Sequence, residues 1–135
     1  MAGYSGTPLA KKLGIEPDAT VLTIGAPDDY ASLLEPMPPG AAIVANAKPG
    51  SADIVHLFAP SLAVLETQLP LARKAMTTDG AIWVSWYKKA AKIETDVTED
   101  AIRARALKTD LVDVKVCAVS DVWSGLKLVV RKASR

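Results

Sequence analysis

The stretch that most limits what this chain can fold into is Val21 to Tyr30, VLTIGAPDDY, where a short β-branched and apolar run stops at Gly25 and Pro27 and gives way to Asp28 and Asp29. An apolar strand, a tight turn and acidic residues suited to a helix start are the opening units of a nucleotide-type α/β domain. In such domains ligands bind beyond the carboxyl ends of the strands, beside this first turn. The residues of the turn therefore limit what can bind. A helix start holds a phosphate through free backbone N–H groups and glycines. Pro27 has no N–H, and Asp28 and Asp29 place negative charge where the phosphate would sit. Neither GxGxxG nor GxxxxGK[ST] occurs in the chain.

The remaining elements follow from periodicity and punctuation. Thr7 and Pro8 suit an N-cap and first helical position and Gly14 the residue past a helix end, which predicts a short helix over 8–13, with GYSG before it as a mobile arm or a loop folded onto a site. After the strand 21–24, a helix is expected from Asp28 or Asp29 to about Glu35, and Pro-Pro-Gly at 38–40 makes a turn. Strands are predicted over 41–46 and 53–58, separated by only AKPGSA. A parallel crossover normally takes a dozen or more residues. Either 41–46 is a short edge strand, antiparallel to its neighbour, or a crossover helix is missing.

Leu62, Leu65, Leu69, Ala72 and Met76 advance by three and four along one face of a long helix, which Pro70 should kink or split and Asp79-Gly80 should end. AIWVSW (81–86) then reads as a buried parallel strand. Thr98 suits an N-cap, with Val97 and Ile102 as a hydrophobic staple and Glu99 and Asp100 matched to the positive end of the dipole. The buried stripe of that helix is expected at Val97, Ala101, Ala104, Leu107 and Leu111. Val112 to Val119 alternates, with Val112, Val114, Val116 and Ala118 on one side, and pairs antiparallel with 126–131 to close the sheet.

The length of 135 residues fits one domain spanning 1–135, and half of the residues are hydrophobic while aromatics are few, which suits helices packed closely on buried strands. The single Cys117 cannot form an internal disulfide, and no spacing suggests a metal site. The start of the chain lacks the apolar core of a signal peptide, and no charge-free stretch exceeds twelve residues, too few to span a membrane. A cytoplasmic protein with no membrane partner is expected. Residues 1–67 carry three bases and seven acids, and residues 68–135 carry thirteen bases and eight acids. Because those bases are interleaved with acids, a solvated surface is favoured over a patch for an acidic partner or for self-association, and no nucleic-acid partner is expected.

This order of elements resembles the class I methyltransferases. The ends GYSGTPLAKKLG and VDVKVCAVSDVWSGLKLVVRK, with HLF and WVSW between them, are similar to a family of small bacterial proteins known as a domain of unknown function. The resemblance implies a three-layer, Rossmann-like, mostly parallel sheet of about six strands with an antiparallel C-terminal strand. It implies no particular activity.

Methyltransferases of this class use S-adenosylmethionine, typically with an acidic residue and several glycines at the first turn and a second acidic residue after the second strand. Here the first turn has one glycine and a proline, and Asn46 stands at the second position. S-adenosylmethionine is accordingly disfavoured as a cofactor. His56, mid-strand beside Ile54 and Phe58, reads as a hydrogen-bonded core histidine, and Cys117 as a structural or surface thiol, so no catalytic residue is assigned.

The crevice itself is expected to be lined by Gly25, Pro27, Asp28, Tyr30, Asn46, Phe58, Trp86, Lys88, Asp96 and Trp123, with Tyr87 and Lys89 beside them. That composition suits a small-molecule pocket, or else aromatics that plug a vestigial cleft. The favoured reading is a small-molecule-binding or interaction module without methyl transfer. Two alternatives stay open: a methyltransferase with an atypical cofactor loop, and a structural module that forms a homodimer.

Overall fold

The structure is a computed structural model and describes residues 7–135. The GYSG arm lies outside the described residues. Six strands form one sheet in the order β2-β1-β3-β4-β6-β5: β1 (Thr20–Ile24), β2 (Ala42–Val44), β3 (Ala52–Phe58), β4 (Met76–Tyr87), β5 (Leu111–Ala118) and β6 (Trp123–Val130). β1 to β4 are parallel, and β6 runs antiparallel to both β4 and β5. The expected mostly parallel sheet with an antiparallel C-terminal strand is therefore present.

Alternation along the strands divides the core between the two faces. Val55, Leu57, Ile82, Val84, Leu126 and Leu128 pack under α3 (Leu62–Ala75) and α4 (Glu99–Ala106). Val21, Ile54, Phe58 and Trp83 pack under α1 (Leu9–Lys12) and α2 (Tyr30–Leu33). β3 and β4 lie at the centre of the sheet and are apolar on both faces, as strands covered by helices on both sides must be.

Several local expectations are corrected. Pro8, not Thr7, stands at the N-cap of α1, without a side-chain cap. α2 is a single turn ending at Leu33 rather than a helix to Glu35, and Asp29 gives it no side-chain cap. α3 is not split at Pro70 and stops at Ala75. Asp79 and Gly80 belong instead to a bulge: Ala52 pairs with Met76 and Ile54 with Ala81, so residues 77–80 face Asp53 alone. A Cβ on Gly80 would sit 2.5 Å from the Asp53 carbonyl oxygen, which is why glycine stands there.

The buried stripe of α4 is Ile102 and Ala106, next to Val97; Leu107, expected inside, is 54% exposed. Thr98 caps α4 as expected, its hydroxyl accepting from the Ala101 N–H (3.1 Å), and Ser61, which the sequence reading did not single out, caps α3 in the same way through the Val64 N–H (3.3 Å). Thr98→Ala should cost about 1 kcal/mol, measured by urea unfolding, and an unchanged midpoint would show that the cap is dispensable.

β2 is an edge strand, and it is parallel to β1, not antiparallel. Its connection to β3 passes β1 in residues 45–51, so the crossover helix is missing. The short link suffices because seven extended residues reach roughly 23 Å and β1 is only five residues long. The link is pinned to the end of α3, where Gly50 N–H donates to Lys74 O (2.9 Å) and Ser51 N–H to Ala75 O (3.0 Å).

A second bulge interrupts β5. Asp113 pairs with Leu128 and Lys115 with Lys127, which leaves Val114 extra. Parity flips there: Asp113 reaches Arg103 of α4 (2.9 Å), whereas Lys115 stands 6.0 Å from the Trp83 ring centre on the other face. The expected one-sided stripe of Val112, Val114 and Val116 does not form, and Val114 and Val116 are about half exposed.

Candidate functional site

The carboxyl ends of the parallel strands hold three separate regions, and the expected crevice residues are divided among them. The first is an aromatic cluster on the α2 face. Gly25 ends β1 with φ +70°, and a Cβ there would lie 3.2 Å from the Phe58 carbonyl oxygen, so the ends of β1 and β3 approach closely at this point. Pro27 O accepts the Tyr30 N–H (3.0 Å), turning the chain so that α2 lays Tyr30 over β3. Asp28 points into solvent.

Tyr30 Oη is 2.8 Å from His56 Nδ1, and His56 Nε2 is 2.7 Å from Ser85 Oγ. Phe58 stacks on His56 at 4.3 Å, Trp123 meets Phe58 edge-on at 5.0 Å, and Tyr87 stacks on Trp123 at 4.3 Å. Tyr30, Phe58 and Trp123 are all buried, and His56 and Ser85 are fully so.

Burial pushes the His56 pKa down to about 3 and raises that of Tyr30 above its ordinary value. A neutral imidazole with both nitrogens bonded is a satisfied core group. Tyr, His and Ser in line have the connectivity of a base and nucleophile pair, yet Ser85 has no face open to a substrate. This network was not visible in the sequence: Tyr30 and Ser85 are 26 and 29 residues from His56, and only the sheet register joins them.

The second region is a hollow of about 450 Å³ where the missing crossover helix would lie, bounded by Gly25 and Asn46 with Thr23, Gln68 and Leu71. The third is an open cavity of about 820 Å³ beyond β4 and β6, lined by Trp86, Tyr87, Lys88, Lys89, Ile93, Glu94 and the start of α4.

Asp96, expected to be a polar group of the crevice, instead holds a wall of this cavity: its Oδ1 accepts the Leu62 N–H at 2.8 Å. Beside it Thr95 Oγ1 donates to Pro60 O (2.8 Å) and accepts from Val97 N–H (3.1 Å). Lys88 N–H donates to Val122 O at 2.8 Å, closing the other end of the loop. Glu94 and Ile93 lie within the segment so fastened, and sequence reasoning singled out neither. Among the described residues no group of His, Cys, Asp and Glu could hold a metal, and no helix is long and apolar enough to cross a membrane. Burial also raises the pKa of Cys117, making it a poor nucleophile.

No family model matches the sequence, and no curated protein matches it. Solved structures do. A Sulfolobus solfataricus protein provisionally assigned as a type 11 methyltransferase superposes with TM-score 0.62 at 10% identity, over 92% of this chain and 90% of its own. A SAM-dependent methyltransferase from Aquifex aeolicus gives 0.58 at 12% identity, over 90% and 87%. The M1A22 tRNA methyltransferase TrmK of B. subtilis gives 0.56 at 12%, over 91% of this chain and 64% of its own. Identities this low speak for the fold alone: the chain has the Rossmann-like fold that these methyltransferase structures share.

Proposed function

We propose that this methyltransferase-like domain binds a small molecule in the cavity beyond β4 and β6 and does not transfer methyl groups. The observation that carries the reading is the filling of the α2 side of the first turn. Gly25 lies against the Phe58 carbonyl, and Tyr30, His56 and Phe58 occupy the space above it. The large cavity beyond β4, by contrast, has fixed walls, an apolar floor and charged groups, the composition of a ligand site.

Titration calorimetry with S-adenosylmethionine and its demethylated product should give no heat that Asn46→Leu removes, and micromolar binding of either that this substitution abolishes would overturn the reading. A metabolite screen by thermal shift should give hits that Trp86→Ala loses. A methyltransferase with an atypical cofactor pose is the second reading, favoured by the hollow that Gly25 and Asn46 still line. In that case the heat should vanish on Asn46→Leu and survive Trp86→Ala.

A further inference from the structure

The charges around the cavity beyond β4 carry the ligand-binding reading further, toward a class of ligand, and the inference rests on that reading. Three acids lie on its α4 and loop walls, but two of them are already engaged. Arg103 donates to Glu99 Oε2 (2.5 Å) and to Asp100 Oδ1 (2.8 Å), and both bonds raise the number of charges satisfied within α4 itself. Glu94 has no such partner among the described residues, nor do the side chains of Lys88 and Lys89. Among the described residues the cavity thus offers two ammonium groups and one carboxylate without an ion-pair partner.

The same cavity also has apolar lining. Trp86 is half-buried, Val97 is buried, and Ile93 is left 43% exposed, although its backbone sits in a segment fastened at Thr95 and Asp96. Phosphate-bearing ligands fit poorly, since the carboxylate of Glu94 shares the lining with the two lysines and offsets half of their charge. Purely apolar ligands would leave three charges facing them across a dewetted surface, which is costly.

We infer that the cavity takes an amino-acid-type zwitterion with a bulky apolar side chain. The carboxylate lies toward Lys88 and Lys89, the ammonium toward Glu94, and the side chain against Trp86 and Ile93. A volume of about 820 Å³ exceeds what one amino acid fills. A free amino acid and a short peptide carry the same chemistry, and the test separates them.

Calorimetry on the full chain would compare L-tryptophan, L-leucine and the dipeptide Leu-Leu with their N-acetyl and C-amide forms. Binding of at least one unblocked compound is expected, with either block weakening it roughly tenfold, the value of one charge-assisted bond. Binding by the dipeptide alone identifies a peptide ligand, and binding by the amino acids identifies a free one. Glu94→Gln should weaken the unblocked compound about tenfold and leave the N-acetyl form unchanged, a pattern that a misfolded variant would not give.

Equal affinity for blocked and unblocked forms overturns the inference, as does no binding of any of them. The failure of the two readings can be told apart by the metabolite screen. A hit of other chemistry that Trp86→Ala abolishes removes the zwitterion and keeps the site, whereas no hit at all removes both.

Discussion

Replacing Trp83 by alanine is expected to destabilise the fold by about 4 kcal/mol, lowering the melting temperature by more than roughly 10 °C in a chain of this size. Trp83 is fully buried at the centre of β4, and its Nε1–H donates to the Leu13 carbonyl at 3.0 Å. One side chain therefore fills the α1-facing core and anchors the end of α1 to the sheet. The opposite strand is shaped to it, since a Cβ on Gly125 would come within 3.2 Å of the ring. Trp83→Phe should recover most of the loss, leaving the share due to the Leu13 carbonyl. Denaturant unfolding gives both numbers, and a loss below about 1 kcal/mol for the alanine variant would mean that the core closes over the gap.

Acidification should act through His56. Its folded pKa is about 3 against 6.5 for an ordinary histidine, because burial penalises the charged ring. Between those values the unfolded chain takes up a proton that the native protein refuses, so stability falls as pH drops. From pH 6.5 to 4 the loss from this one group is on the order of 3 kcal/mol. Above pH 6.5 the contribution is fully present. Asp110 adds a separate decline at lower pH, because the hydrogen bond from Arg73 holds its carboxyl below the usual range. In His56→Gln the slope of unfolding free energy against pH between 6.5 and 4 should shrink by about one proton. Equal slopes in the two proteins would remove His56 as the acid-sensitive group.

Much of the architecture was legible because it depends on neighbours in sequence. The break of VLTIGAPDDY at Gly25, the apolar runs around Val55 and Trp83, and the Thr98 cap are all local signals, and each predicts an element that is present. The misreadings came where a distant backbone decides. Gly80 looks like a helix stop, but it is glycine because the Asp53 carbonyl passes 2.5 Å from where its Cβ would be. Leu107 fits a helical stripe by spacing, yet α4 turns Ile102 and Ala106 to the sheet and leaves Leu107 in solvent.

The candidate site was legible in composition and not in arrangement. Tyr30, Phe58 and Trp123 do meet, but with His56 as a packed cluster. Trp86 faces the other side of the sheet with Lys88, and Asp96 serves the start of α3, 34 residues away. Nothing in the order of residues distinguishes an aromatic that lines a cavity from one that fills it, because that depends on which face of a strand each occupies and on what crosses above.

The extra residue in β5 bears on how the molecule behaves in a crowd of its own kind. A flat outer strand carrying a continuous row of valines is a template on which another chain can add strands. By inserting Val114 the chain breaks that row, sends Asp113 to Arg103 on one face, and sets the ammonium of Lys115 on the other. An incoming strand in regular register would meet a kink and a charge halfway along. The same irregularity that confuses a reading of alternation thus works as a guard against runaway strand addition, at a boundary where two half-exposed valines would otherwise invite it.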